Sequence, residues 1–491
     1  MVPMVSLSSM DPILSVLPGI KKPNGPLSIK EKVKWTAIIM AVYFVLFSVP
    51  AAGVNTAVAS QAALQLISIV FAARIGTLIT VGISPIVVAG IVFSFLSGAD
   101  IIKIDQNNPE DRSRMQGMQK LVAIVIAAIE AYIFTATGQV TLLSPNLFGI
   151  VVFELFLGAL AIIYLDEMMS KYGITSGINM FIVGNVAFSI IGGTFGILLP
   201  EAMAAIGGRG AAAIPNAILA FGPLFFAIII LLIAIYLYET NLEIPLVFSQ
   251  LRGIGGRLPI PLLYVSVLPV VLATALVLNL SLLFTMTATY AGAGASIIRF
   301  IGSYTPAGTT YALSGGLLYL ISPNFPLPYS SAYAASGAIG GYSQYFTYIM
   351  TSQITMYSPF GGVFYLPEWV HVITFTLSLM LLCVIFGKFW TTMAGQDAKS
   401  LAAQLGDVGW QIPGFRRDPR TVENVLSKYI PSIITLGSLI VGFLAAMATI
   451  TGAIGSGIGI MLLVGIIYMV YKQLEQENAL AAFPGVEKLI S

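Results

Sequence analysis

Apolar residues fall along this chain in blocks of about 20, the length at which a helix crosses the hydrocarbon core of a bilayer. Polar, glycine- or proline-containing stretches separate the blocks. The blocks predict helices at about 36–54, 75–96, 121–138, 146–165, 174–199, 215–238, 262–286, 368–390, 430–451 and 454–472, with each end placed to within several residues. Ten crossings leave both termini on one side. Residues 1–34 hold "DPILSVLPGI" ahead of a lysine cluster, which suits either an interfacial helix or an unstructured tail. Residues 287–367 are rich in Tyr, Ser, Thr and Gly and nearly free of charge. They are expected to fold back on the membrane or to hold an extra pair of short spans. Residues 391–429 form the largest polar loop, with "GFRRDPR" beside turn residues.

Composition makes water an unsuitable solvent for this surface. Of 491 residues, 57% are hydrophobic and 9% charged, against about 25% charged in soluble domains. The sequence is that of a polytopic membrane protein. Its start, "MVPMVSLSSMDPILSVLPGIKKP", is broken by three prolines before its first basic residues and does not read as a cleavable signal.

The charges then orient the chain. Of 23 Lys and Arg, 20 fall in the N-terminal segment, in alternate loops and in the tail, leaving Arg74, Arg209 and Arg299 for the opposite side. Cytoplasmic loops collect Lys and Arg. The asymmetry predicts cytosolic termini, cytosolic loops at 240–261 and 391–429, and a cytosolic tail at 473–491.

Catalytic chemistry is hard to find in these residues. The single Cys383 excludes an internal disulfide, and the single His371 excludes a paired-histidine metal site. There is no G-x-x-x-x-G-K-[ST] phosphate loop, so a motor would have to be a partner. His371 lies beside Glu368 and Trp369 near a span end, a position that suits an interfacial residue better than a catalytic base. "QLGDVG" (404–409) lies in a polar loop and lacks the second intramembrane Asp of an aspartyl protease. No enzymatic activity, cofactor or metal is expected. An ion-coupled secondary transporter of a small solute is the alternative function, because Glu130 and Glu154 lie well inside spans. A packed, hydrogen-bonded role suits Glu154 better.

Two spans are interrupted in the same way, at "VGISPIVVAG" (81–90) and "YGITSGINMFIVGN" (172–185). Each sets bulky aliphatics at i and i+4 on one helix face, Ile83 with Val87 and Ile178 with Ile182, among small or polar neighbours. Close helix packing and the lining of a narrow water path both fit this pattern.

"RIGTLITVGISPIVVAGI" (74–91) and "YLDEMMSKYGITSGINMFI" (164–182) resemble the signature regions of the SecY family, the main (alpha) subunit of the protein-conducting channel, in its archaeal type. The likeness extends in order through "KEKVKWTAIIMAVYF", "EDRSRMQGMQKL", "LEIPLVFSQLRGIGGRLPIPLLYVSVLPVVLATAL", "FGKFWTTMAGQDAKSLAAQL", "GFRRDPR" and "GAIGSGIGIMLLVGIIYMVYKQLEQE". The resemblance implies an all-α polytopic fold of about ten transmembrane helices in two pseudo-symmetric halves, 35–199 and 200–472, around a central pore. It also implies a constriction ring of Ile83, Val87, Ile178, Ile182, Val271 and Leu462. A plug at about 58–73 would meet span two at Arg74. A lateral gate would carry Val88, Glu130 and Asn279, with Val88 standing where related channels often have Thr. The loop arginines Arg252, Arg257, Arg416, Arg417 and Arg420 would dock a ribosome. Small SecE-type and beta-type subunits, nascent secretory and membrane polypeptides and the lipid bilayer of the cell membrane complete the implied partners.

Overall fold

The computed structural model describes residues 17–481 apart from 24, 26, 56–70, 99–108, 208–212, 249–254, 266–267, 292–295, 308–309, 327, 329–340, 360–361, 409 and 412–418. The expected interfacial stretch at 1–16, most of the expected plug, and Arg252, Arg416 and Arg417 lie outside the described residues, as do the side chains of Arg257 and Arg420.

The first half is built on α1 (Ile29–Ser48), α2 (Ser84–Gly98), α3 (Pro109–Ala136), α4 (Phe148–Tyr172) and α5 (Gly177–Gly193). A capping box opens α1: Ser28 Oγ accepts from the Glu31 amide at 3.4 Å, and Glu31 Oε2 accepts from the Ser28 amide at 3.0 Å. Such caps contribute about 1 kcal/mol. Helix α5 continues through one π-turn, Thr194–Leu198, into α6 (Leu199–Gly207), and α7 (Ala213–Ala220) follows.

The second half comprises α8 (Gly222–Glu239), α9 (Leu268–Ala291), α13 (Glu368–Met393), α15 (Pro419–Ile450) and α16 (Gly457–Ala481). Between α9 and α13 lie α10 (Ser296–Ile301), α11 (Leu317–Ile321), α12 (Tyr342–Thr351), the hairpin of β3 (Ser303–Ala307) and β4 (Thr310–Gly315), and the hairpin of β5 (Gln353–Tyr357) and β6 (Val363–Pro367). The loop after α8 is an antiparallel hairpin of β1 (Asn241–Phe248) and β2 (Gly255–Pro261). A short strand after α14 (Ala398–Val408), β7 (Trp410–Gln411), pairs with β1 through Val247 with Gln411 and Phe248 with Trp410. The fold is mostly helical, and its strands occur in connections.

Among the described residues, seven helices are long and apolar enough to cross a membrane: Ser113–Ala136, Pro145–Tyr172, Gly177–Gly207, Gly222–Glu239, Leu268–Thr287, Glu368–Leu405 and Glu423–Ile450. With α1 and the shorter apolar helices Ser84–Leu96 and Gly457–Lys472, the total is consistent with ten crossings.

Packing divides the bundle into two groups. In the first, α3 packs on α2 and α4, while α1 and α5 pack on α4. In the second, α13 packs on α9 and α15, and α16 on α8 and α15. The groups meet along two seams, α2–α3 against α9–α13 and α5 against α16. One large apolar core runs through both groups.

The block expected as a span from residue 75 becomes helical only at Ser84. Residues 74–83 are hydrogen-bonded turns instead. Leu78 N donates to Val49 O (3.1 Å), Ile83 N to Phe71 O (2.8 Å) and Gly76 N to Thr80 Oγ1 (3.0 Å). Irregular backbone survives inside a membrane only where protein or water satisfies it, and these bonds meet that need. Gly82 turns the chain at φ +61°, and a Cβ there would lie 2.2 Å from Phe71 O. Pro85 occupies the first turn of α2, where its missing N–H costs no helical bond.

Candidate pore and lateral seam

The six residues expected to form the ring lie on, or directly before, four of the long helices. Ile83 immediately precedes α2, and Val87 N donates to Ile83 O at 3.2 Å in its first turn. Ile178 and Ile182 lie near the start of α5, where the Ser176 side chain caps the helix and Asp166 Oδ1 accepts from Ile178 N at 2.9 Å. Val271 and Leu462 lie on α9 and α16. The four carrier helices contact one another in sequence, α2 with α9, α9 with α16, and α16 with α5. Five of the six side chains are buried in the shared core, and Ile178 packs against it. The six are aliphatic, so they offer water no hydrogen bond.

The seam between α2–α3 and α9 carries a polar cluster in an otherwise apolar wall. Ser84 Oγ donates to Glu130 Oε1 at 2.9 Å, and Asn279 Nδ2 donates to Ser84 Oγ at 3.2 Å. Asn279 also donates to Ala275 O on its own helix, at 2.9 Å. Glu130 is buried, and its Oε2 has no hydrogen-bond partner among the described residues. Val88, expected as the third gate position, is half-buried and has no polar group to contribute. The polar group that joins Glu130 to Asn279 comes instead from Ser84, one helical turn earlier on the same face.

A SecY family model matches residues 77–471. The chain belongs to the SecY family. It is 34% identical to the protein translocase subunit SecY of Methanococcus vannielii over 484 residues, 98% of each chain. It is also 34% identical to that of Methanocaldococcus jannaschii, over 99% of this chain and all of the other. Among solved structures it is similar to a protein-conducting channel, with TM-score 0.76, 34% identity and coverage of 96% of this chain and 98% of that one. A SecY structure described for the plug domain that stabilizes its closed state matches at TM-score 0.74, with 34% identity and 96% and 97% coverage. Sec61 in a canine ribosome–channel complex matches at TM-score 0.73, with 34% identity and the same coverage.

Within this SecY-family framework, Arg74 is exposed at the head of the turn segment, its guanidinium 5.4 Å from the centre of the Phe47 ring. Its carbonyl oxygen accepts from Thr77 Oγ1 at 2.7 Å. Of the loop arginines, Arg257 lies on β2 opposite Pro245, and Arg420 lies in the first turn of α15. The β1–β7 pairing joins the two loops expected to act together.

Glu154 Oε2 accepts from Ala52 N at 2.7 Å, tying α4 to the turn after α1. At the end of the bundle where α3 begins and α4 finishes, Glu167 bridges Lys120 and Lys171, each at 2.6 Å, and accepts from Ile20 N at 3.0 Å. Lys120 also donates to Pro18 O at 2.6 Å, so the start of the described chain is held there. A cavity of about 740 Å³ opens beside this junction.

His371, expected to be an interfacial residue and not a catalytic base, is fully buried within the protein. Its Nδ1 lies 2.8 Å from Glu368 Oε1 and its Nε2 2.9 Å from Ser322 O, while Tyr319 donates to the same Glu368 oxygen at 3.1 Å. Phe325 stacks on the imidazole at 4.3 Å.

Proposed function

We infer that the chain is the pore-forming subunit of a protein-translocation channel, passing unfolded secretory polypeptides across the cell membrane and releasing transmembrane segments sideways into lipid. The observation that supports this reading is a set of six aliphatic side chains, on or beside four helices that contact one another in turn, packed in or against one core next to a seam with a few hydrogen-bonded polar side chains. A ring of Ile83, Val87, Ile178, Ile182, Val271 and Leu462 would gate by excluding water, and would give a passing polar chain nothing to bind. A chain segment would leave through the seam of α2, α3, α9 and α13 when its apolar transfer outweighs its polar cost. Each central Leu or Ile contributes about 0.3–0.6 kcal/mol to that transfer.

Arg74 joins a plug at about 58–73 to the pore wall, and Val88, Glu130 and Asn279, with Ser84, line the gate. Both termini are cytosolic in this arrangement. The loop arginines Arg252, Arg257, Arg416, Arg417 and Arg420 face a ribosome, whose RNA phosphates suit guanidinium groups. The chain acts as a conduit and not as an enzyme, with energy supplied by the ribosome or another partner. Small SecE-type and beta-type subunits complete the channel.

The test is reconstitution of the chain with such subunits into vesicles. The expected result is ribosome-dependent protection of a secretory protein from external protease. Ion-dependent uptake of a small solute without such protection would favour the secondary transporter instead.

A further inference from the structure

From Phe300 to Pro367 the chain contains no Asp, Glu, Lys, Arg or His. A water-solvated stretch of 68 residues (300 to 367) would carry about 17 charged side chains at the usual quarter share. The described part of this stretch is folded. Tyr319, Leu320, Ile354 and Met356 form a small core of their own, and Tyr342, Tyr345 and Ile349 seat α12 against Phe226 and Val372. The Glu368–His371 pair then holds α11 to α13 through Tyr319 and Ser322.

What this fold leaves uncovered is free of charge and largely apolar or aromatic, with Ser343, Thr347, Thr351 and Gln353 among its exposed polar residues. Phe346 and Met350 share the outward face of α12, at 45% and 67% exposure, while Val363, Phe364 and Tyr365 stand exposed in succession on β6. Three adjacent exposed strand positions present both faces of β6, which in water would be an aggregation hazard. Trp369 begins α13 just beyond, and the exposed Ile373, Leu377 and Leu381 follow it at four-residue spacing on one helix face. That face belongs to a helix long and apolar enough to cross a membrane. The bare surface of α12 and β6 therefore continues the exposed apolar stripe of a span without interruption by charge.

We propose that α12 and the β5–β6 hairpin form a membrane-anchored cap, with Phe346, Met350, Val363, Phe364 and Tyr365 sitting in the headgroup–acyl boundary beside α13. The occupant of this surface is lipid. Amphipathic Tyr and Trp rings favour that depth, and the charge-free composition suits a lipid boundary and not an aqueous one. Because α13 borders the seam, the cap ties the outer end of one gate helix to the bilayer surface. Opening then displaces the opposite flank, α2–α3.

The test places a nitrobenzoxadiazole probe on Met350→Cys and, separately, Phe364→Cys in the full chain in phosphatidylcholine–phosphatidylglycerol vesicles. Lys399→Cys serves as the aqueous reference, and the unsubstituted chain, whose Cys383 is buried, as the labelling blank. The expected result is emission shifted to the blue of the Lys399→Cys probe. Quenching should be stronger from a spin label high on the lipid chain than from one near its end, and weak from iodide. Iodide quenching equal to that at Lys399→Cys overturns the proposal, because the surface then faces water. Blue emission insensitive to both quenchers also overturns it, because protein then covers the cap. Translocation activity is measured on the same vesicles, so loss of the cap's lipid contact and loss of the channel function are read separately.

Discussion

Ser84 does two jobs at once. Its backbone begins α2, and its hydroxyl joins Glu130 to Asn279 across the seam. Glu130 already has one buried oxygen without a partner among the described residues. Ser84→Ala leaves the second unpaired and is expected to destabilise the chain by about 1–3 kcal/mol, seen as a lower midpoint of thermal unfolding. Adding Glu130→Leu removes the stranded carboxyl, so the double variant should recover most of the loss; a neutral Ser84→Ala would remove the seam latch from the account. Gly82 makes a second residue-scale case. Its positive φ and the 2.2 Å approach of Phe71 O leave no room for a side chain. Gly82→Ala should cost at least about 1–2 kcal/mol from backbone conformation alone. Gly90→Ala, in open helical surroundings, should gain about 0.5–1 kcal/mol; thermal unfolding of the pair checks both signs. The place of Ser84 in the polar cluster was not legible, because the family resemblance pointed to Val88 at this seam. Only the fold reveals that the hydroxyl one turn earlier reaches across to another helix.

At the scale of elements, the hydropathy of the chain foretold most helices, since bilayer thickness imposes a length that windows of about 20 residues detect. It did not foretell where α2 begins. The 74–83 turns are as apolar as the helix that follows, and what distinguishes them is hydrogen bonding to distant backbone at Val49 and Phe71. Nor could sequence position place His371. It stands near a span end, and only the return of residues 317–325 over it, with Tyr319, Ser322 and Phe325, buries the ring. The ring carriers α2, α5, α9 and α16 lead to a further expectation. Replacing Ile83, Val87, Ile178 and Ile182 with Ser wets the closure, and the resting channel should leak ions in planar bilayers. Unchanged conductance would count against these residues as the seal.

For the whole molecule, the arrangement of two helix groups meeting along two seams explains how one chain serves as both conduit and gate. The seam of α5 and α16 is apolar where Gly193 lets Ile454 approach and Gly455 lets Ile190 approach; the seam of α2–α3 and α9 is the one with the polar latch. In the proposed function a moving polypeptide crosses between the groups, and an apolar segment leaves through the latched side. The family match made the pore and gate legible as a set. The residues alone reached a membrane bundle with two interrupted spans, because packing and pore lining use the same small and aliphatic residues. If Ile83 belongs to the closure, a translocating chain must touch it. A photo-crosslinker on Ile83→Cys, with a secretory chain stalled during ribosomal synthesis, should form an adduct with the nascent chain that disappears when its signal segment is deleted. No adduct at Ile83→Cys from a channel that still translocates would mean that the chain passes elsewhere and that Ile83 is no part of the pore.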